Sequence, residues 1–175
     1  MNIVIVISVT MFFSCKNNFK EVQKIGIPEN EPIGIAKDIS LKYTDSAKLK
    51  AHLISPKMLD YSNRDFAFNE FPDGVNLKLY DELGRESTVI SNYAIVYDQT
   101  NLIDLKGNVV LTTHDGNVLN ADQLYYDQEK NWLFTNQPVK FNTRDQIING
   151  NGFDSNMDFS QARVLEITGI VYLDE

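Results

Sequence analysis

Apolar and polar residues alternate along much of this chain in short stretches of the kind that form β-strands. Residues 41–53 contain two such stretches around Thr44-Asp45-Ser46, and residues 75–79 alternate again directly after Pro72-Asp73-Gly74. A period of two places the apolar side chains on one face of a strand, so the chain is predicted to be mainly β. Only residues 60–71, where three phenylalanines stand among polar residues, allow one short helix.

From about residue 88 onward the strand pattern repeats with a period near 30 residues. Tyr97-Asp98 and Tyr126-Asp127 close two strands 29 residues apart, and a polar turn and a new apolar strand follow each of them. A looser third copy begins at residues 149–153. Units of this length bury their apolar face only against neighbours, which predicts stacked antiparallel hairpins. Residues 111–119 are predicted to be one such hairpin, with Asp115-Gly116 at a two-residue turn.

The N-terminal sequence is typical of a targeting segment. A mostly apolar run of eleven residues, 3–13, ends at Ser14-Cys15, which resembles the lipobox of bacterial lipoproteins. The run has the length of a signal-peptide core and spans only about half of a ~30 Å hydrocarbon layer. Residues 1–15 are therefore expected to be a signal peptide or a short membrane anchor with lipidation at Cys15. A polar tether over 16–38 and a folded domain over 39–175 are expected to follow. The alternative is a buried N-terminal strand with an ordinary cysteine.

Composition and motifs point away from catalysis. With 24 acidic and 16 basic residues the net charge is −8, which argues against a nucleic-acid partner because phosphate backbones need clustered Lys and Arg. His52 and His114 are far apart and Cys15 is the only cysteine, so a metal site lacks its usual ligands. Asp122 and Asp127 lie at strand edges or turns, where aspartate is common. We therefore do not interpret them as a catalytic carboxylate pair. We therefore expect no enzyme activity, no cofactor and no metal.

Several short motifs stand in an order that resembles a known family. They are FPDGV at 71–75, LYDELG at 79–84, LKGNVVL at 105–111 and ADQLYYD at 121–127. Behind a predicted lipid anchor, this order resembles the periplasmic C component of the bacterial lipopolysaccharide export (Lpt) bridge, LptC, over roughly residues 37–173. The G-N-V and A-D-x-L-x-Y-D elements are also similar to the A and D (OstA-like) relatives of that family.

The resemblance implies a twisted, open antiparallel β-jellyroll that is not an enzyme. Such a protein receives lipopolysaccharide, by its acyl chains, from the inner-membrane Lpt ABC transporter. It then passes the glycolipid along a hydrophobic groove to an LptA-like bridge protein joined by edge-strand pairing. The resemblance also implies a place at the periplasmic face of the inner membrane, with the membrane held through the N-terminal anchor.

Alternation within the strands supplies candidates for the groove. Eight side chains are predicted to face the interior, where each of them either contacts lipid or packs the core: Ile95, Tyr97, Val109, Leu111, Leu124, Tyr126, Val139 and Phe141. The C-terminal strand, residues 164–173, is predicted to be the outgoing docking edge. Two other functions fit a stacked β scaffold: a β-solenoid surface lipoprotein that binds protein or polysaccharide, and a carbohydrate-active jellyroll enzyme with a facing carboxylate pair.

Overall fold

The computed structural model describes residues 31–168 as one antiparallel sheet of twelve strands, which confirms the predicted all-β, jellyroll-like fold. The chain divides into two units, residues 1–31 and 32–175, and all twelve strands lie in the second. The strands are β1 Gly34–Asp45, β2 Lys48–Asp60, β3 Phe68–Phe71, β4 Val75–Tyr80, β5 Glu86–Ser91, β6 Tyr93–Tyr97, β7 Leu102–Thr112, β8 Val118–Asp127, β9 Trp132–Asn142, β10 Ile147–Asn156, β11 Arg163–Val164 and β12 Ile167–Thr168.

The repeat predicted from the sequence is present in the strand order. Strand β6 ends at Tyr97 and β8 ends at Asp127, and a tight turn leads from each into the next long strand. Asn101 and Asn131 occupy matching places in these turns, with φ angles of 52° and 51°. Asparagine tolerates this left-handed conformation better than most residues, which explains why both turns carry it.

Two local predictions were wrong. Residues 60–71 form no helix, because the backbone N–H of Tyr61 donates to the carbonyl of Phe68 and their rings stack at 4.6 Å, closing a loop between β2 and β3. In the hairpin between β7 and β8, Asp115-Gly116 does lie at the turn. Its loop is nevertheless longer than two residues, because the Thr113 hydroxyl accepts from the N–H of Asn117 and closes a wider loop.

The sheet consists of two halves that share the same long strands. Strand β2 pairs with β4 through residues 51–54 and with β3 through residues 59–60. Strand β7 pairs with β6 through residues 102–106 and with β5 through residues 110–112. The hairpin β4–β5 and the pair β3–β6 therefore lie side by side along the same two strands. We call the two regions the β4–β5 half and the β3–β6 half.

Bends in the long strands separate the halves. In β7 the register shifts at Gly107 and Asn108, which both have positive φ angles, and in β10 it shifts at Gly152, with φ of 124°. Such bulges bend a strand and re-aim its side chains. One continuous apolar core, including Leu77 from β4 and Leu105 from β7, lies between the halves and shows that their inner faces meet.

The described residues also set the limits of the domain. Strand β1 begins at Gly34, so residues 34–38 of the predicted tether belong to the sheet. Of the predicted strand 164–173, the structure describes two short strands, β11 and β12, and residues 169–173 lie outside the described range. Residues 1–30, with the predicted anchor at Cys15, lie outside it as well. Within residues 31–168 no helix is long and apolar enough to span a membrane.

Candidate functional site

An apolar cleft of about 140 Å³ opens where the two halves meet beside β1. Leu53 and Leu77 belong to the β4–β5 half and Ile103 to the β3–β6 half, while Leu41 and Tyr43 of β1 form the rim with 46% and 40% exposure. Ala51, Val96, Lys42 and Gln128 complete the lining. An apolar cleft with an open rim has the shape and polarity to take a hydrocarbon chain.

Tyr126 contributes a buried hydroxyl close to this cleft. Its ring is fully buried, and its hydroxyl donates to Oδ1 of Asn131 at 3.3 Å. Burial raises the pKa of the Tyr126 hydroxyl far above its ordinary value, and the neighbouring Tyr43 and Asp127 add to the increase. The hydroxyl is therefore a neutral hydrogen-bond donor at any physiological pH.

Six of the eight predicted groove residues lie on the inner face, but inside the packed core. Their exposures run from 0% to 7%, and none of them lines the cleft, although two of them border a separate pocket of about 390 Å³. The six are Val109, Leu111, Leu124, Tyr126, Val139 and Phe141. The strand alternation therefore identified the inner face, whereas contact of these side chains with lipid stays a prediction.

Ile95 and Tyr97 lie on the opposite, outer face of β6, so their predicted orientation was wrong. Their neighbours Ala94 and Val96 point inward, where Ala94 is fully buried. The outer face of β6 also carries apolar and aromatic side chains: the Tyr97 ring lies 5.5 Å from that of Phe66. Because apolar residues occupy both faces of β6, alternation within the strand alone does not distinguish the inner face from the outer one.

Sequence reasoning missed the residues that line the cleft. The alternating pairs Leu41-x-Tyr43 and Ala51-x-Leu53 were identified as strands but not as parts of a groove. The available signal was the polar composition of β1, an edge strand in which Ile35, Leu41 and Tyr43 remain 40% to 63% exposed. Exposed apolar residues on an otherwise polar edge indicate an opening rather than a closed core.

A polar pocket of about 220 Å³ lies next to the cleft. It combines the start of β2, the β4–β5 turn, the β8–β9 turn and the end of β10, and its charged and amide side chains include Lys50, Glu82, Lys130, Asn131 and Asn156. Lys50 pairs with Glu82, which also accepts from Lys48 at 3.1 Å. Hydrogen bonds from Lys50 and then Lys48 hold the pKa of the Glu82 carboxyl below its ordinary value.

Asp81 organises the β4–β5 turn at the border of this pocket. Its carboxylate, 3% exposed, accepts from the N–H groups of Leu83 and Arg85 at 2.9 Å each and from Nε of Arg85 at 2.6 Å. Burial pushes the pKa of Asp81 upward. The hydrogen bonds and the guanidinium outweigh burial, so the pKa lies below its ordinary 3.8.

Asp81→Asn is expected to lower the free energy of unfolding by about 1–2 kcal/mol near pH 6, since hydrogen bonds to a charged group are lost. A depressed carboxyl pKa stabilises the fold above the unfolded pKa, and this contribution disappears as pH falls through the folded value. The difference between wild type and variant should therefore be constant above about pH 5 and shrink toward pH 3. Urea unfolding at several pH values measures it. A difference that does not change with pH would contradict the assignment.

The remaining polar candidates occupy structural positions. Nε2 of His52 lies 2.8 Å from Oγ of Ser40, and the backbone N–H of His114 donates to Ser87. Asp127 bonds to Lys130 within its turn, and Asp122 is exposed. Within residues 31–168 no group of three or more His, Cys, Asp or Glu side chains is arranged to hold a metal ion.

Comparison with known proteins agrees with this architecture. No curated protein sequence matches the chain. A family model described as "Lipopolysaccharide-assembly, LptC-related" matches residues 3–172, which is almost the whole chain. The match confirms the resemblance inferred from the sequence motifs: the chain belongs to the LptC-related lipopolysaccharide-assembly family.

Proposed function

We propose that this protein receives lipopolysaccharide from an inner-membrane ABC transporter and passes it to the next bridge protein, without catalysing a reaction itself. The apolar cleft between the two halves carries the proposal. Each methylene group that moves from water into such a cleft gains about 0.8 kcal/mol. The open rim at Leu41 and Tyr43 lets the glycolipid headgroup remain in water.

Passage of a glycolipid requires the cleft to widen. A volume of about 140 Å³ holds a short length of one acyl chain, whereas lipopolysaccharide carries several. We propose that the two halves separate along the bends at Gly107 and Gly152, which are the positions where the long strands already change direction. Separation would expose inner-face residues such as Val139 and Phe141, which are the least tightly buried of the predicted groove candidates.

The partners are proposed to join at the two ends of the sheet. Among the described residues, β1 pairs only with β2, and β11 and β12 pair only with β10. An unpaired strand edge accepts a strand from another chain. Addition of partner strands at both ends would join the grooves of neighbouring bridge proteins. Acylation of Cys15 would hold the protein at the periplasmic face of the inner membrane.

A photoreactive amino acid at Leu41 is expected to capture lipopolysaccharide in cells, because this side chain lies on the rim of the cleft. The matched control is Ile147, which is 61% exposed on the outer face of β10 and should capture none. A third position, Tyr126, reports widening, because its side chain is fully buried unless the halves separate.

The readout is a protein band that reacts with antibody against lipopolysaccharide after irradiation. Capture at Leu41 alone supports a lipid-binding rim, and capture at Leu41 and Tyr126 supports a widened groove. Capture at Ile147 alone, or at none of the three positions, would contradict the groove. Absence of lipid capture would instead favour a surface scaffold that binds protein or polysaccharide.

A further inference from the structure

Lys50 is a buried lysine that does not line the apolar cleft. The residue is 6% exposed, and its side chain 8% exposed, although lysine is almost never fully buried unless it is paired. Replacing a buried ion pair by apolar residues is often neutral or even stabilising. A buried ammonium group is therefore costly for the fold and indicates another role.

A β-bulge directs this side chain inward. Tyr43 of β1 pairs with Ala51 and Thr44 pairs with Leu49, so Lys50 is the extra residue between two paired positions. Regular alternation would place Lys50 on the face opposite to Ala51, which is 3% exposed and faces the core. The bulge breaks the alternation, so the adjacent Lys50 and Ala51 are both buried.

The counter-ion of Lys50 is exposed to solvent and shared with a second lysine. Glu82, whose side chain is 72% exposed, lies on the β4–β5 turn and divides its carboxylate between Lys50 and the exposed Lys48. Other carboxylates border the polar pocket, but Asp81 is bound to Arg85. An anion that enters the pocket therefore competes with one solvent-exposed glutamate for a buried ammonium group.

Several side chains around Lys50 can donate hydrogen bonds to an oxyanion. Lys130 and the amide side chains of Asn131 and Asn156 line the same pocket, and lysine is a common phosphate-binding residue. Nζ of Lys130 lies 2.9 Å from Oδ2 of Asp127, with which it forms an ion pair. Asp158 contributes one exposed carboxylate to the lining of the pocket. Lys50 is the cation in the pocket whose side chain is buried, so it would gain most from a strong anionic partner.

The polar pocket and the apolar cleft are lined by adjacent residues of the same two elements. Lys50 lines the pocket and the next residue, Ala51, lines the cleft, while the β8–β9 turn contributes Gln128 to the cleft and Asn131 to the pocket. A molecule with an acyl chain in the cleft would therefore place its polar end beside Lys50.

We propose that the polar pocket binds the phosphate group of an acylated lipid, with Lys50 as the principal cation and Glu82 as the counter-ion that the phosphate displaces. This assignment rests on the proposed function, because the cleft must hold the acyl chain. It adds a headgroup specificity that an apolar groove alone does not have.

The test measures binding of lipid A, and of lipid A with its phosphates removed, to the full chain in detergent solution by calorimetry. Lys50→Met keeps the volume of the side chain and removes its charge. It is expected to weaken binding of lipid A by at least about tenfold and to leave dephosphorylated lipid A unaffected. Glu82→Gln removes the competing carboxylate from an exposed position and is expected to strengthen binding of lipid A. The matched control is Lys78→Met, since Lys78 pairs with Glu86 outside the pocket.

Each outcome has a distinct meaning. Equal affinity of the wild type for both lipids, or weaker binding of lipid A by Glu82→Gln, would overturn the phosphate site while the cleft stands. Failure of the wild type to bind either lipid would overturn the proposed function as well. Inorganic phosphate that displaces lipid A supports the site, whereas inorganic phosphate that binds at Lys50 without affecting lipid A would assign the pocket to a soluble anion. If Lys50→Met does not fold, Glu82→Gln decides the question.

Discussion

Leu124→Ala is expected to lower the free energy of unfolding by about 2–5 kcal/mol, the range for a buried leucine that leaves a cavity. Leu124 of β8 is fully buried and pairs across the sheet with Leu105 of β7, which is also fully buried. Both lie in the apolar core between the two halves, where a smaller side chain at position 124 leaves a cavity. A poorly relaxed site gives the upper part of the range.

Urea unfolding of the full chain measures the change. The matched control is Leu83→Ala, because Leu83 is 78% exposed in the β4–β5 turn and should change stability by less than about 0.5 kcal/mol. A cost for Leu124→Ala as small as that of Leu83→Ala would show that Leu124 borders open space. It would then be a lipid-contacting residue of the closed protein rather than a core residue.

The distinction between core and groove explains what the sequence could predict. Strands and turns depend on neighbours in the chain, so the alternation and the repeated turns with Asn101 and Asn131 were predicted correctly, whereas the length of the β7–β8 loop was not. The inner face of a strand could also be predicted wherever the other face was clearly polar, as in β7 around Leu111. This prediction was wrong in β6, where Tyr97 packs against other aromatic rings on the outer face.

The candidate site could not be predicted because it depends on contacts between distant residues. The cleft exists only where Leu41 of β1 approaches Ile103 of β7, which requires the complete strand order. The orientation of Lys50 depends on a one-residue bulge, and the sequence KLKAHL fits unbroken alternation equally well. Register between two strands is set by the packing of a whole face, so local patterns do not locate a bulge.

Gly150→Ala is expected to detach the last two strands from the sheet. Gly150 lies in β10 under the segment that joins β11 and β12, and a Cβ atom there would overlap the carbonyl oxygen of Leu165 and the side chain of Val164. The segment is held by a 2.9 Å hydrogen bond from the N–H of Leu165 to Gly152. Overpacking costs about 1–3 kcal/mol, and moving the segment away relieves it more easily than moving β10, which is paired along its length with β9.

Trypsin sensitivity at Arg163 measures the detachment, because a protease needs a locally unfolded segment around its cleavage site. A cost of about 1–3 kcal/mol corresponds to cleavage that is about 5- to 150-fold faster in Gly150→Ala than in wild type. The control is Gly34→Ala, where an added Cβ atom makes only an ordinary contact of 3.5 Å with Asp60. Equal cleavage of all three proteins would mean that the segment does not lie over Gly150.

Because β11 and β12 form one end of the sheet, faster cleavage should be accompanied by weaker binding of any partner that adds its strand there. Unchanged partner binding would assign docking to β1 instead.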